Sequence, residues 1–273
     1  MANLTVFPTE ERLKTSRRLL IARLKKESSL RAWRALKRLS ACSSETDEFC
    51  GLLACPVCRA RAQKNFADAI ESEFSRHAGF LSVTLIPKAG MVPPEDLMKF
   101  DLRAFVRSQY RRISKVLPAG HIFVGAVDFS FNMPLPGTLH FSYHVGGLLF
   151  GCRGKAWETA LRAQYPSVPG VIDRPVRIVH RPSSDLPSMA AYTLKSYHLA
   201  RSQYLAVPKT SDRNPYRNTR DIAMPRDVDI RLQITHSKYR VCDPLILIGL
   251  KRWRTSDPAQ FSFGKAGKGH WQR

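Results

Sequence analysis

Three groups of residues in this chain have the types and spacing for chemistry. The first is CSSETDEFCGLLACPVC, which places Cys42, Cys50, Cys55 and Cys58 in a C-x7-C-x4-C-x2-C array. A C-x-x-C turn lets both thiolates reach one Zn²⁺ at ~2.3 Å, and Pro56 suits that turn. Cys42 and Cys50 could complete a tetrahedral site. The competing reading keeps only the C-x-x-C as ligands, with His77 as another donor and Cys42 or Cys50 in the core. A redox C-x-x-C is disfavoured because no strand feeds it. Cys152 and Cys242 stand alone and read as small apolar residues.

The second group is TLHFSYHVGGLLFG, residues 138–151. On a strand, residues two apart share a face, so His140, Ser142, His144 and Gly146 point one way and Phe141, Tyr143 and Val145 the other. The preceding HIFVGAVDFSFN reads as a second strand. Paired as a hairpin, it brings Asp128 roughly opposite positions 140–142. A carboxylate and two imidazoles on one face suit a divalent ion. Spacing is the obstacle, because residues i and i+4 lie ~13 Å apart at Cα along a strand. His140 and His144 need a bend to share one ion, and Gly146 and Gly147 could permit it. The alternative is a row of polar residues on a half-exposed strand.

The third is SMAAYTLKSYH, where Tyr192 and Lys195 are three apart and so neighbours on a helix face. Tyr197 follows. A phenol with pKa ~10 is a weak nucleophile until a cation stabilises the phenolate, and a lysine one turn away could help. The plainer reading is a core tyrosine beside a surface lysine.

These groups need a scaffold, and the rest of the chain supplies one. Residues 9–41 read as a basic helix with Leu13, Leu19, Leu20, Leu24, Leu30, Trp33, Leu36 and Leu39 at helical spacing. Helices are expected over 59–78, 94–117, 157–165 and 188–205, and strands over 79–87, 121–132, 137–151 and 174–182. Residues 208–229 read as a loop, followed by a helix or strand over about 228–240. Strands alternating with helices, joined in part by hairpins, indicate an α+β class. The chain divides into a basic helical region with the cysteine segment (1–78), a domain with the histidine strand and tyrosine helix (79–205), and a basic C-terminal region (206–273).

Over 273 residues, 44 Lys and Arg against 22 Asp and Glu leave a formal charge of +22. Such a surface attracts polyanions, of which nucleic acid is the commonest. No run approaches the ~20 apolar residues of a membrane span. The N-terminal stretch lacks the apolar core of a signal peptide. A cytoplasmic protein with reduced thiols is therefore expected, which again favours metal over disulfides.

Taken in order, CPVCRARA, FLSVTL, the hairpin VGAVDFSFN…LHFSYHVGGLLFG and YTLK resemble the HUH-type rolling-circle replication initiators, the Rep proteins of plasmids and small phages. The resemblance covers about residues 40–205. It implies a central antiparallel sheet of about five strands flanked by helices, and an enzyme that nicks and rejoins single-stranded origin DNA. Mn²⁺ or Mg²⁺ would be held by Asp128, His144 and a further ligand, for which His140 is the candidate. Tyr192 would form a 5′-phosphotyrosine and Lys195 would stabilise charge. The cysteines would hold structural zinc. Arg17, Arg18, Lys25, Lys26, Arg59 and Arg61 would grip DNA, and a host helicase and polymerase would be partners. The family carries H-x-H, whereas here Ser142 or Gly146 stands where the second histidine is expected. Three alternatives accompany this: a zinc-bearing DNA-binding regulator that has lost cutting, a transposase or relaxase of the same chemistry, and a zinc-bearing RNA-binding protein.

Overall fold

The computed structural model describes residues 7–42, 49–134, 137–151, 155–169, 171–196, 200–206, 216–252, 257 and 259–265. Cys152 and Tyr197 lie outside them. The helices are α1 (Glu10–Leu24), α2 (Leu30–Ser40), α3 (Pro56–Phe74), α4 (Leu102–Val116), α5 (Ala156–Gln164), α6 (Leu186–Thr193) and α7 (Arg226–His236). The strands are β1 (Gly79–Leu85), β2 (Met91–Val92), β3 (Ile122–Met133), β4 (His140–Phe150), β5 (Val176–Pro182), β6 (Ala200–Ala206), β7 (Tyr216–Ile222), β8 (Leu245–Ile248), β9 (Leu250–Arg252) and β10 (Phe263–Lys265).

Eight strands form one sheet in the order β5-β1-β4-β3-β6-β7, with β2 added to β4 and β8 to β3; β9 and β10 pair separately. The expected α+β class holds, but the sheet is larger than five antiparallel strands, and it is mixed. Strand β6 lies parallel to the end of β3, Phe131 beside Ala200, and β7 then folds back on β6.

Three local differences from the sequence reading stand out. Residues 9–41 form two helices rather than one, because Ser29 begins a new helix by accepting the Ala32 N–H at 3.1 Å. Of the apolar row, Leu20, Leu24 and Leu39 are buried, but Leu30 and Trp33 are more than half exposed. The helix expected over 188–205 ends at Thr193, and the chain from Ala200 is strand β6. Lys195 therefore lies past the helix rather than on its face. The expected loop over 208–229 contains β7 and the start of α7.

The long hairpin of β3 and β4 is the spine of the molecule. Its ladder runs unbroken from Ile122 opposite Phe150 to Asn132 opposite His140, so no bulge brings His140 toward His144. Aromatic and β-branched residues fill one face. Phe129, Phe131, Phe141, Tyr143 and Val145 pack in one cluster with Leu102 and Phe105 of α4, Trp157 of α5 and Leu232 of α7. Gly125 and Gly147 face each other across the ladder because the Phe123 ring lies over both; a Cβ at either would meet it at 2.5–2.6 Å.

The opposite face is divided. Its upper half, Val124, Ala126, Leu148 and Phe150, is covered by Phe66, Ile70 and Phe74 of α3 and by Ala190 and Ala191 of α6. Phe74 stacks on Phe150 at 4.1 Å. Burying each such ring contributes ~1.5–3 kcal/mol. The same cluster includes Leu20 and Leu24 of α1 and Ile230 of α7, so residues from all three sequence regions share it. Its lower half carries Asp128, Ser130 and Asn132 opposite His144, Ser142 and His140. The helical cover stops there, at the C-terminal end of α6.

Candidate active site and cysteine cluster

The hairpin register places Asp128 directly opposite His144, not opposite positions 140–142 as the sequence suggests, because the ladder pairs Asn132 with His140. His144 Nε2 lies 3.4 Å from Asp128 Oδ2, and its Nδ1 faces the Ser142 carbonyl at 3.1 Å. Helix α6 starts with Pro187 in its first turn and is seated by Gln63 of α3, whose amide donates to the Ala191 carbonyl at 2.9 Å. This seating leaves Tyr192 exposed at the helix end. The chain then turns inward through Leu194, and the Lys195 ammonium donates to Asp128 Oδ2 at 2.5 Å. The same ammonium lies 4.1 Å from the centre of the Tyr192 ring.

Only 11% of the Lys195 side chain and 9% of Asp128 is exposed, so the pair is screened from solvent. Burial alone would raise the Asp128 carboxyl, but the Lys195 charge and the His144 hydrogen bond outweigh it and hold it well below the carboxylate range. Burial alone would neutralise Lys195, but Asp128 outweighs this and its pKa rises. Lys195 is thus a cation and not a base.

Tyr192 lies on the rim of a groove of about 1230 Å³, whose floor includes Ser130, Asn132, Ser142, His140 and His144. Arg162, Arg174, Arg177 and Arg201 line its sides, against Asp173 as the acidic residue there. Arg162 is held by Glu158 at 2.7 Å and by the Val176 carbonyl at 3.0 Å, and Arg201 faces Asp221 at 3.6 Å, so exposed Arg174 and Arg177 are the cations best placed to meet a phosphate chain there. Sequence reasoning missed the arginines. Arg174 and Arg177 reach the groove through the β5–β1–β4 pairing, which spans distant parts of the chain and leaves no local signal. Ser130 and Asn132 were legible, since they alternate with Asp128.

Of the three expected metal ligands, the structure brings together Asp128 and His144 but not His140. Two register positions away, His140 faces the Thr138 carbonyl at 2.9 Å and the Asn132 amide at 3.5 Å. Gly146, the next residue beyond His144 on that face, has no side chain to offer. A divalent-ion site with three protein donors does not fit the residues present, because only Asp128 and His144 converge and a lysine ammonium already sits against Asp128 Oδ2.

The cysteines behave differently. Cys42 follows α2, Cys55 caps α3 and Cys58 sits in its first turn. Sulfur separations are 3.7 Å (Cys42–Cys58), 3.6 Å (Cys50–Cys58) and 3.7 Å (Cys55–Cys42), and all four sulfurs lie within 4.8 Å. A tetrahedron with ~2.3 Å metal–sulfur bonds has edges of ~3.8 Å, so the four could hold a metal such as zinc. The Gly51 N–H donates to Cys58 Sγ at 3.3 Å, as thiolate ligands require. Nearby Arg59 is fully buried, with Nε and one terminal nitrogen lacking a hydrogen-bond partner. Burial lowers its pKa to about 10, opposed by the charges of Cys55 and Asp229. A tetrathiolate zinc carries two net negative charges, which would more than offset this cation. Among the described residues, no other group of three or more His, Cys, Asp or Glu side chains converges in this way. His77 is not part of the cluster; it packs against Phe74 and Phe150.

Among the residues expected to bind DNA, Arg18, Lys25 and Lys26 are exposed on or just after α1. Three others make contacts within the protein. Arg59 is buried, Arg17 donates to the Leu39 carbonyl at 3.1 Å, and Arg61 pairs with Asp257 at 2.9 Å while lying over the Phe49 ring. The periodicity of a basic helix does not reveal which cations face inward.

No family model, curated protein or solved structure matches this chain. Among the described residues, no helix is long and apolar enough to cross a membrane.

Proposed function

We propose that the chain is a strand-transfer enzyme of the HUH rolling-circle type, nicking and rejoining single-stranded DNA through Tyr192. One observation carries this reading: an exposed tyrosine at the rim of an arginine-lined groove, with a buried ammonium against its ring. Three elements far apart in sequence converge on that point.

The strand lies along the groove with its phosphates toward Arg174, Arg177 and Arg201. Tyr192 Oη attacks phosphorus, a phosphorus–oxygen bond to Tyr192 forms, and the bond to the 3′-oxygen breaks. The phenolic proton ends on the departing oxygen, giving a 5′-phosphotyrosine and a free 3′-OH. Storing the phosphodiester energy in the protein link allows rejoining without ATP. Lys195 stabilises the phenolate by charge, and Asp128 with His144 holds Lys195 in place. Zinc at the four cysteines fixes the α2–α3 connection and plays no part in the chemistry.

Incubating the protein with end-labelled single-stranded DNA from its own replicon, then denaturing in detergent, tests the reading. A covalent adduct absent from Tyr192→Phe supports it. Tight DNA binding without any adduct favours instead the non-cutting regulator, a reading to which the missing histidine at Ser142 or Gly146 lends weight.

A further inference from the structure

We infer that Lys195 supplies, inside the protein, the positive charge that a divalent ion supplies in the family the sequence resembles, so that this site works without a divalent ion. The inference rests on the strand-transfer reading and goes beyond it.

Three observations lead there. Asp128 Oδ2 receives the Lys195 ammonium at 2.5 Å, and an ion bound to that oxygen at ~2.1 Å would sit against a second cation in a poorly solvated site. His144 is the second donor, 3.4 Å away, but the unbroken hairpin ladder carries His140 two register positions off. Third, of the two places a further histidine could occupy, Ser142 and Gly146, the second is open: a Cβ at Gly146 meets nothing within 4 Å. The site thus lacks a ligand where there is room for one, and holds an ammonium where an ion would bind.

That ammonium lies between the carboxylate and the Tyr192 ring. Lys195 does not line the groove itself, so its charge reaches a phosphate at Tyr192 through the tyrosine ring it lies against. In the transfer step Lys195 gains and loses no proton; it stabilises the phenolate and the charge gathering on the phosphoryl oxygens. His144 acts as a positioning residue, meeting the same Asp128 Oδ2 at 3.4 Å.

Two measurements on the full zinc-loaded chain decide the matter. Manganese titration followed by electron paramagnetic resonance reads ion binding without reference to activity. The wild type should leave added Mn²⁺ free at the Asp128 site, while the double variant Gly146→His, Lys195→Met, with three donors and no ammonium, should bind it at least ~10-fold more tightly. Wild-type binding that disappears in Asp128→Asn would overturn the inference. The second measurement is adduct formation in metal-stripped buffer without chelator, so that zinc stays bound. Adduct should form there, fall at least ~100-fold in Lys195→Met and recover in part in Lys195→Arg. Adduct that needs added Mn²⁺ or Mg²⁺ would refute the lysine's role and leave strand transfer standing. Absence of adduct in either buffer would remove strand transfer, and the manganese result would still decide what neutralises Asp128.

Discussion

The cysteine cluster and the Asp128 cluster both gather metal-binding side chains, yet they solve the problem of charge in opposite ways. Four sulfurs within 4.8 Å crowd like donors together, with Arg59 buried beside them. At Asp128 there are two donors, and an ammonium from the same chain meets the carboxylate. Crowded donors without a central cation call for an ion, whereas a carboxylate already paired does not. The first arrangement suits scaffolding. The second leaves a charge beside a tyrosine, where it can act on a substrate.

Breaking the cysteine side of this contrast should have the largest effect. Cys58→Ser should lose the bound metal, and its thermal midpoint should fall by more than ~10 °C, because a structural zinc contributes its binding energy to folding. Elemental analysis and calorimetry check both. A variant with unchanged midpoint and no metal in the wild type would mean that the sulfurs pack as thiols.

The Asp128 side should break by a different rule. Lys195→Met strands a buried carboxylate and should cost ~3–5 kcal/mol, as removal of one partner of a buried pair does. Adding Asp128→Asn should restore much of it, since both charges are then gone. Denaturant unfolding of the four proteins gives the coupling directly. Additive losses would show that the pair is not coupled.

A smaller effect sharpens the view of the core beneath. His236 is buried against the Phe129 ring, and burial, aided by Arg59, lowers its pKa to about 3 from an ordinary 6.5. Below about pH 6.5 the unfolded chain takes up a proton that the folded chain refuses, so stability falls as pH drops toward about 3. Asp128, held well below the carboxylate range by Lys195, stays ionised between about pH 7 and pH 4.5, and the decline there should flatten in His236→Gln. Melting midpoints across that range are the check.

The mildest changes are expected in the groove. Arg174→Ala and Arg177→Ala, both exposed, should each weaken single-stranded DNA binding several-fold and lower the salt slope by ~1. Equal changes at Arg59→Ala without loss of stability would contradict its internal placement.

How much of this was legible in the sequence depends on range. The cysteine array and the two faces of β4 follow from spacing alone, as does the pairing of a hairpin that brings Asp128 near the histidines. Asp128 and Lys195 are 67 residues apart, and no periodicity joins them. Their contact follows from α6 ending at Thr193, where the sequence reads as continuous helix because nothing there resembles a breaker. The parallel β6 was hidden for the same reason. His140 illustrates the opposite error: Gly146 and Gly147 could permit the bend that the spacing needs, but Gly147 seats the Phe123 ring and the ladder runs on without a bulge.

The central claim is that Tyr192 carries the strand covalently. The most direct measurement is mass spectrometry of the protein after reaction with single-stranded DNA, nuclease trimming and trypsin digestion. A nucleotide linked through its 5′-phosphate to the peptide containing Tyr192 is the predicted result. A linkage at another residue, or none while the DNA is cut, would contradict it.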